Sequence, residues 1–279
     1  MSNTQVNTIA NTAVNNLPNA VSSDEHSVIH LLNGDVLLRR FPAEITGEQL
    51  VMRECLIDGP ATKASGTALY AQRSDYLQKY ANGEDFPDYH EFVVPTFDKL
   101  MELSGEEAVF CWFEHDLFCQ CNLWFCLFLL LQGKANPVYL VQPNQGNEYC
   151  YAAMSNAELV TSFERAVPLS RDDINSFAAL WLAYAAKDHA QMTAIASRAL
   201  SHFSFVAAAV NAELARVPDQ QGLGEPERVL CQIMHELSSG SKQQGPEFSA
   251  VFSEFSRQME RYSFGDLQVK AMFDELRAS

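Results

Sequence analysis

The sequence predicts an α/β fold: a Rossmann-like, mostly parallel sheet in the N-terminal half, followed by an all-helical C-terminal half ending in a helix-turn-helix or winged-helix-like unit. Three observations carry this. Short apolar runs stop at turn-forming residues, segments of helical spacing lie between them, and strand patterns vanish after about residue 155. Strands alternating with helices imply βαβ units and a parallel sheet.

The expected strands come in order. Residues 28–32 (VIHLL) end at Asn33-Gly34-Asp35, and residues 49–57 (QLVMRECLI) end at Asp58-Gly59-Pro60. Residues 108–113 (AVFCWF) end at Glu114-His115-Asp116, and residues 138–141 (VYLV) at Gln142-Pro143-Asn144. Each has strand length and is bounded by turn-formers. The unbroken apolar character of 108–113 fits a central strand buried on both faces.

Helical spacing marks residues 64–80, 89–103 and 117–131, and in the second half 155–165, 170–186 and 189–201. Ser155, Ser170 and Asp188 are suited to cap three of these helices. After the linker-like stretch 218–224 (PDQQGLG), helices are expected at 226–237, 247–262 and 267–277. The division is a disordered tail at 1–24, poor in aromatics and without period, an α/β domain at 25–151, a helical domain at 152–218 and a final unit at 219–279.

Composition narrows the class. A chain of 279 residues with 47% hydrophobic content can bury a large core. The tail has neither a basic start with an apolar run nor any arginine, so it resembles no export or mitochondrial signal, and a cytoplasmic location is expected. The apolar run 117–131 is broken by Gln120 and Asn122 and falls short of the roughly 20 residues that span a bilayer. Seven irregularly spaced cysteines read as reduced thiols. The net charge is −16, with 8 basic and 19 acidic residues in 1–151 and 11 and 16 in 152–279. Neither half is basic, which disfavours nucleic acid as a partner, because such affinity comes from Lys and Arg neutralising phosphates.

Several of these motifs together resemble the bacterial proteins catalogued as domain of unknown function 1835 (DUF1835), an uncharacterised family. The matching features are Asn33-Gly34-Asp35, the run from Arg53 through Glu54, Cys55, Leu56, Ile57, Asp58 and Gly59 to Pro60, and Glu114-His115-Asp116-Leu117-Phe118 with Gln120 and Leu123. They continue through Trp181, Glu213-Leu214, Pro218, Gly222-Leu223, Glu227-Arg228 and Gly265-Asp266. Cys119 and Cys121 depart from the pattern, where polar residues are expected. The resemblance implies an architecture and no reaction.

In open parallel sheets, ligands bind outside the carboxyl ends of the strands. The expected strand ends deliver Asn33, Asp35, Asp58, Glu114, His115 and Asp116 to that edge, Gly34 and Gly59 would let backbone N–H groups approach an anion there, and Arg53 could act as an anion clamp. Asp58, His115 and Asp116 are the candidate catalytic groups, and Asn33, Gly34, Asp35, Arg53, Gly59 and Glu114 the candidate ligand-binding ones. Such a set suits acid–base work, a cation, or the amine and hydroxyls of a small polar ligand. Each residue also has a plainer role. Asp116 stands where a helix N-cap belongs, His115 fills a tight turn, Asp35 and Asp58 beside glycine are ordinary turn residues, and Arg53 suits a salt bridge.

No G-x-G-x-x-G, Walker or G-x-S-x-G pattern is present. A zinc site taking His115, Cys119, Cys126 and Cys111 lacks any C-x-x-C pair, and buried small hydrophobes explain those cysteines better. No cofactor is identified. Three functions remain: a small-polar-ligand protein, enzymatic or not; a ligand-responsive regulator whose last helices contact protein or nucleic acid; and an acidic protein–protein adaptor. Oligomeric state is left open.

Overall fold

In a computed structural model, residues 27–63, 66–80, 87–135, 137–238 and 245–278 are described. The expected tail at 1–24 lies outside them. In chain order the elements are β1 (Ser27–Asn33), α1 (Asp35–Arg40), β2 (Glu48–Met52), α2 (Thr67–Leu77), α3 (Tyr89–Phe92), α4 (Val94–Glu102), β3 (Glu107–Trp112), α5 (Leu117–Leu130) and β4 (Val138–Val141). There follow α6 (Asn156–Glu164), β5 (Val167–Pro168), α7 (Arg171–Ala185), α8 (His189–Ser197), α9 (Ser204–Ala215), α10 (Glu225–Ser238), α11 (Phe248–Gln258) and α12 (Asp266–Ala278).

The sheet order is β2-β1-β3-β4-β5. β1 runs parallel to both β2 and β3, and β3 parallel to β4, while β5 pairs antiparallel with β4. From β1 the chain steps outward to β2 and then returns to β3 on the other side. The order therefore reverses at the β1/β3 boundary, where doubly wound sheets place their ligand crevice.

Side-chain alternation sends Ile29, Leu31, Val109 and Cys111 to one face, under α2, α4 and α5. It sends Leu32, Phe110, Trp112, Tyr139 and Val141 to the other, under α1 and α6. His30 is buried on that second face, where Trp112 Nε1 donates to its Nδ1 at 3.2 Å. Its Nε2 in turn donates to the Thr46 carbonyl at 3.2 Å.

α5 is apolar all round and accordingly buried all round. One side lies on the sheet, and the other meets α7 and α9 of the helical half. Phe125 sits 4.8 Å from the Trp181 ring and 5.1 Å from Phe97, so one apolar core runs from the sheet through α5 into the helical half. All three expected caps form. Ser155 and Ser170 make capping boxes on α6 and α7, and Asp188 accepts the Gln191 N–H at the start of α8.

The structure departs from the sequence reading in four places. β2 ends at Met52 instead of residue 57, because it is an edge strand whose one partner, β1, ends opposite it at Asn33. Asn33-Gly34-Asp35 opens directly into α1, with Gly34 at φ 84° making the bend. β5 adds a short strand beyond residue 155, and α9 was not anticipated. No described helix is long and apolar enough to cross a membrane.

Phe125→Ala opens a void in the shared core and is expected to cost about 3–5 kcal/mol. In urea unfolding, far-UV dichroism and tryptophan fluorescence of the variant should still change together, because the core they report is continuous; separated transitions would contradict that.

Candidate functional site

β1 delivers Asn33 to the carboxyl edge, and the bend at Gly34 places Asp35 on the first turn of α1. Arg53, just past β2, forks onto the Asp35 carboxylate with contacts of 2.8 and 3.0 Å and lies over the Phe92 ring at 4.8 Å. Their side chains are 25% and 37% exposed, so this ion pair forms a rim.

Beyond Arg53 the chain leaves the sheet as a loop held from within. The side chains of Glu54 and Arg73 are both 0% exposed and meet through two contacts of 2.6 and 2.8 Å. Tyr89 donates its hydroxyl to Glu54 at 2.7 Å, and the Cys55 N–H donates at 2.8 Å. Arg73 also donates to the carbonyls of Cys55, Asp58 and Pro60.

From α5, Asn122 donates to the Glu54 carbonyl at 2.7 Å and to Asn33 Oδ1 at 2.9 Å, and accepts the Leu56 N–H at 3.2 Å. Arg73, Tyr89 and Asn122 are not among the site residues that the sequence suggests. Asn122 had a signal, since a polar residue within an apolar helical run is the informative exception. Arg73 and Tyr89 had none.

A second chain of bonds fills the β1/β3 crevice. Asn33 Nδ2 donates to Cys119 Sγ at 2.9 Å, and that thiol donates to Glu114 Oε2 at 3.2 Å. The other Glu114 oxygen accepts the Tyr151 N–H at 3.2 Å. Burial, with Asp116 nearby, pushes the Glu114 carboxyl up to about 7. Burial also holds Cys119 well above the usual thiol range, so it remains a protonated thiol and a poor nucleophile.

Asp116 caps α5, accepting the Cys119 N–H at 2.9 Å, and burial raises its carboxyl to about 6. The His115 ring stacks on Phe205 of α9 at 4.3 Å, and burial lowers it to about 4, against a smaller opposing effect of Glu148. His115 is therefore neutral at pH 7 and points to the helical half.

Asp58 is not at a strand end. Tyr76 donates to it at 2.7 Å, Tyr80 also donates to it, and Lys79 lies at 3.5 Å. Burial alone would raise this carboxyl, but the two hydroxyls and Lys79 outweigh it and leave the group lowered. Gly59 at φ 83° packs against Tyr76 so closely that a Cβ would stand 2.3 Å from the ring.

The nine sequence-predicted residues thus fall into three groups. Asn33, Gly34, Asp35 and Arg53 line a cavity of about 380 Å³ at the ends of β1 and β2, walled mostly by apolar side chains including Met52, Leu77, Phe92 and Phe118. Glu114 reaches it only through Cys119 and Asn33, while His115 and Asp116 serve the α5 turn. Asp58 and Gly59 lie on the far side of the loop. Among the described residues, no three His, Cys, Asp or Glu side chains are grouped to hold a metal ion.

Arg73→Met leaves Glu54 buried and unpaired, and denaturant unfolding should show a loss of about 3–5 kcal/mol that Glu54→Gln added to it partly restores. Glu114 supplies a second test. The folded chain keeps this proton up to about pH 7, whereas an ordinary glutamate releases it near 4.5. Its contribution is full below 4.5 and is lost as pH rises through 7. The stability of Glu114→Gln relative to the unsubstituted protein should therefore rise between about pH 5 and about pH 8, by up to about 3 kcal/mol. Neutral His30 and His115, both held near 4, give both proteins the same opposite slope, and it cancels in the difference.

Comparison of the chain with protein-family models, with curated proteins and with solved structures gives no match, so the reading of this site rests on its own geometry.

Proposed function

We propose that this protein binds a small molecule at the carboxyl ends of β1 and β2, with its apolar body in the cavity and its polar end at the rim. The observation that carries the reading is the cavity itself: about 380 Å³, mostly apolar walls, and a few convergent polar groups in Asn33, Asp35 and Arg53. That size and mixture suit a small-molecule site, and the open edge of a parallel sheet is where such sites occur. The strand-end ligand expected from sequence is thereby refined from simply polar to amphipathic.

In an enzymatic version of this reading, Glu114 is the acid–base group. It titrates near neutrality and connects to the cavity through Cys119 and Asn33. Asp58 and His115 are engaged elsewhere and are not assigned a catalytic role.

A second reading, a ligand-responsive regulator with a helix-turn-helix or winged-helix-like end, has one observation in its favour. The Arg261 carbonyl, between α11 and α12, accepts the Leu117 N–H at 2.9 Å, so the last unit touches the turn that leads from the sheet into α5. Arg257, Arg261 and Lys270 are ion-paired with Glu254, Glu225 and Asp274, which favours protein over nucleic acid as the contact of that unit.

The test is a thermal-shift screen of the full chain against small amphipathic molecules that are not zwitterions, among them nucleosides and short-chain fatty acids. A ligand at 100 times its dissociation constant stabilises by about 2.7 kcal/mol. Arg53→Ala and Asn33→Ala should each remove the shift of any hit. A hit indifferent to both, or no hit across the panel, would overturn the assignment.

A further inference from the structure

The loop that walls the first cavity also walls a second. On its far side Ile57, Gly59 and Pro60 face the ends of four helices across a cleft of about 620 Å³. The cleft is lined at the carboxyl ends of α7 and α9 by Lys187 and Arg216, and at the amino ends of α8 and α10 by His189 and Glu227. Unlike the first cavity, it is rich in charge.

Most of that charge is already used. Glu213 takes Arg216 at 2.7 Å and has His189 at 3.9 Å. Two lining groups make no ion pair among the described residues. Lys187 is exposed at the turn after α7, held at φ 54°. Glu227, in the first turn of α10, has its Oε2 buried without a hydrogen-bond partner. That oxygen has essentially no accessible surface, so a ligand N–H in the cleft would meet this carboxylate at its other oxygen, Oε1.

Lys187 and Glu227, the lining charges of this cleft without an ion pair among the described residues, are together complementary to a ligand that carries both charges. The helix ends account for where these two side chains stand, since carboxyl ends favour a cation and amino ends an anion. We propose that this cleft is a second ligand site, distinct from the one at β1 and β2, and that it takes a small zwitterion of the amino-acid or dipeptide class, with its carboxylate on Lys187 and its ammonium on Glu227. No covalent step is involved.

The experiment is isothermal titration of the full chain with free amino acids and with glycylglycine, each compared with its N-acetylated and its amidated form. Binding of a zwitterion, weakened about tenfold or more by Lys187→Gln and likewise by Glu227→Gln but unchanged by Arg53→Ala, is the expected result. Blocking either charge of the ligand should abolish it. Both substituted positions tolerate glutamine, one being exposed and the other nearly isosteric, and unchanged unfolding midpoints would confirm that. Three outcomes overturn the proposal: no zwitterion binds, binding ignores both substitutions, or inorganic phosphate alone binds through Lys187 with Glu227 irrelevant.

Discussion

Glu54 and Arg73 lie together out of reach of water, 2.6 Å apart, and the carboxyl edge of the sheet is arranged around them. Removing two charges from water costs several kcal/mol apiece, and their mutual attraction offsets this only where their remaining donors and acceptors are also satisfied. Here they are: Tyr89 and the Cys55 amide serve the carboxylate, and three loop carbonyls serve the guanidinium. The pair thus specifies the path of the chain after β2. Every one of those bonds ends on the segment from Glu54 to Pro60 or on a side chain packed against it, and both cavities are shaped by that segment.

The second constraint is α5. A helix apolar on all sides has to be enclosed, and the sheet can enclose only one side. The helical half supplies the other, through Trp181, Tyr184 and Phe205. This explains why α5 carries two kinds of polar residue. Asp116 accepts the free Cys119 amide of the first turn, while Asn122, fully buried, reaches out of the helix to join the end of β1 to the loop after β2.

Sequence and structure agree where the signal is local. The four parallel strands follow from apolar runs closed by turn residues, the helix starts from Ser155, Ser170 and Asp188, and the capping of α5 from Asp116. They part where the determinant is nonlocal. Nothing near residue 53 shows that β2 runs out of a partner, since that depends on where β1 stops. Asp58 stands beside Gly-Pro, a turn signature, and its real partners Tyr76 and Tyr80 come from a helix and its end some twenty residues on. Asn33 and Asp35 were legible because each lies within a residue or two of an expected strand end, whereas Arg53, inside an expected strand, was legible only as a salt-bridge partner or anion clamp; Arg73 and Tyr89 come from helices whose docking no local pattern reveals.

The thiols of this core have a use of a different kind. Cys111, Cys121 and Cys126 are fully buried and held above the ordinary thiol range, whereas Cys150 is exposed. An alkylating reagent modifies Cys150 in the folded chain at once but must wait for the core to open before it reaches the other three. The protein therefore carries a built-in clock for its own opening: the rate at which the buried three are labelled reports how often α5 parts from the sheet or the helical half, with no probe introduced.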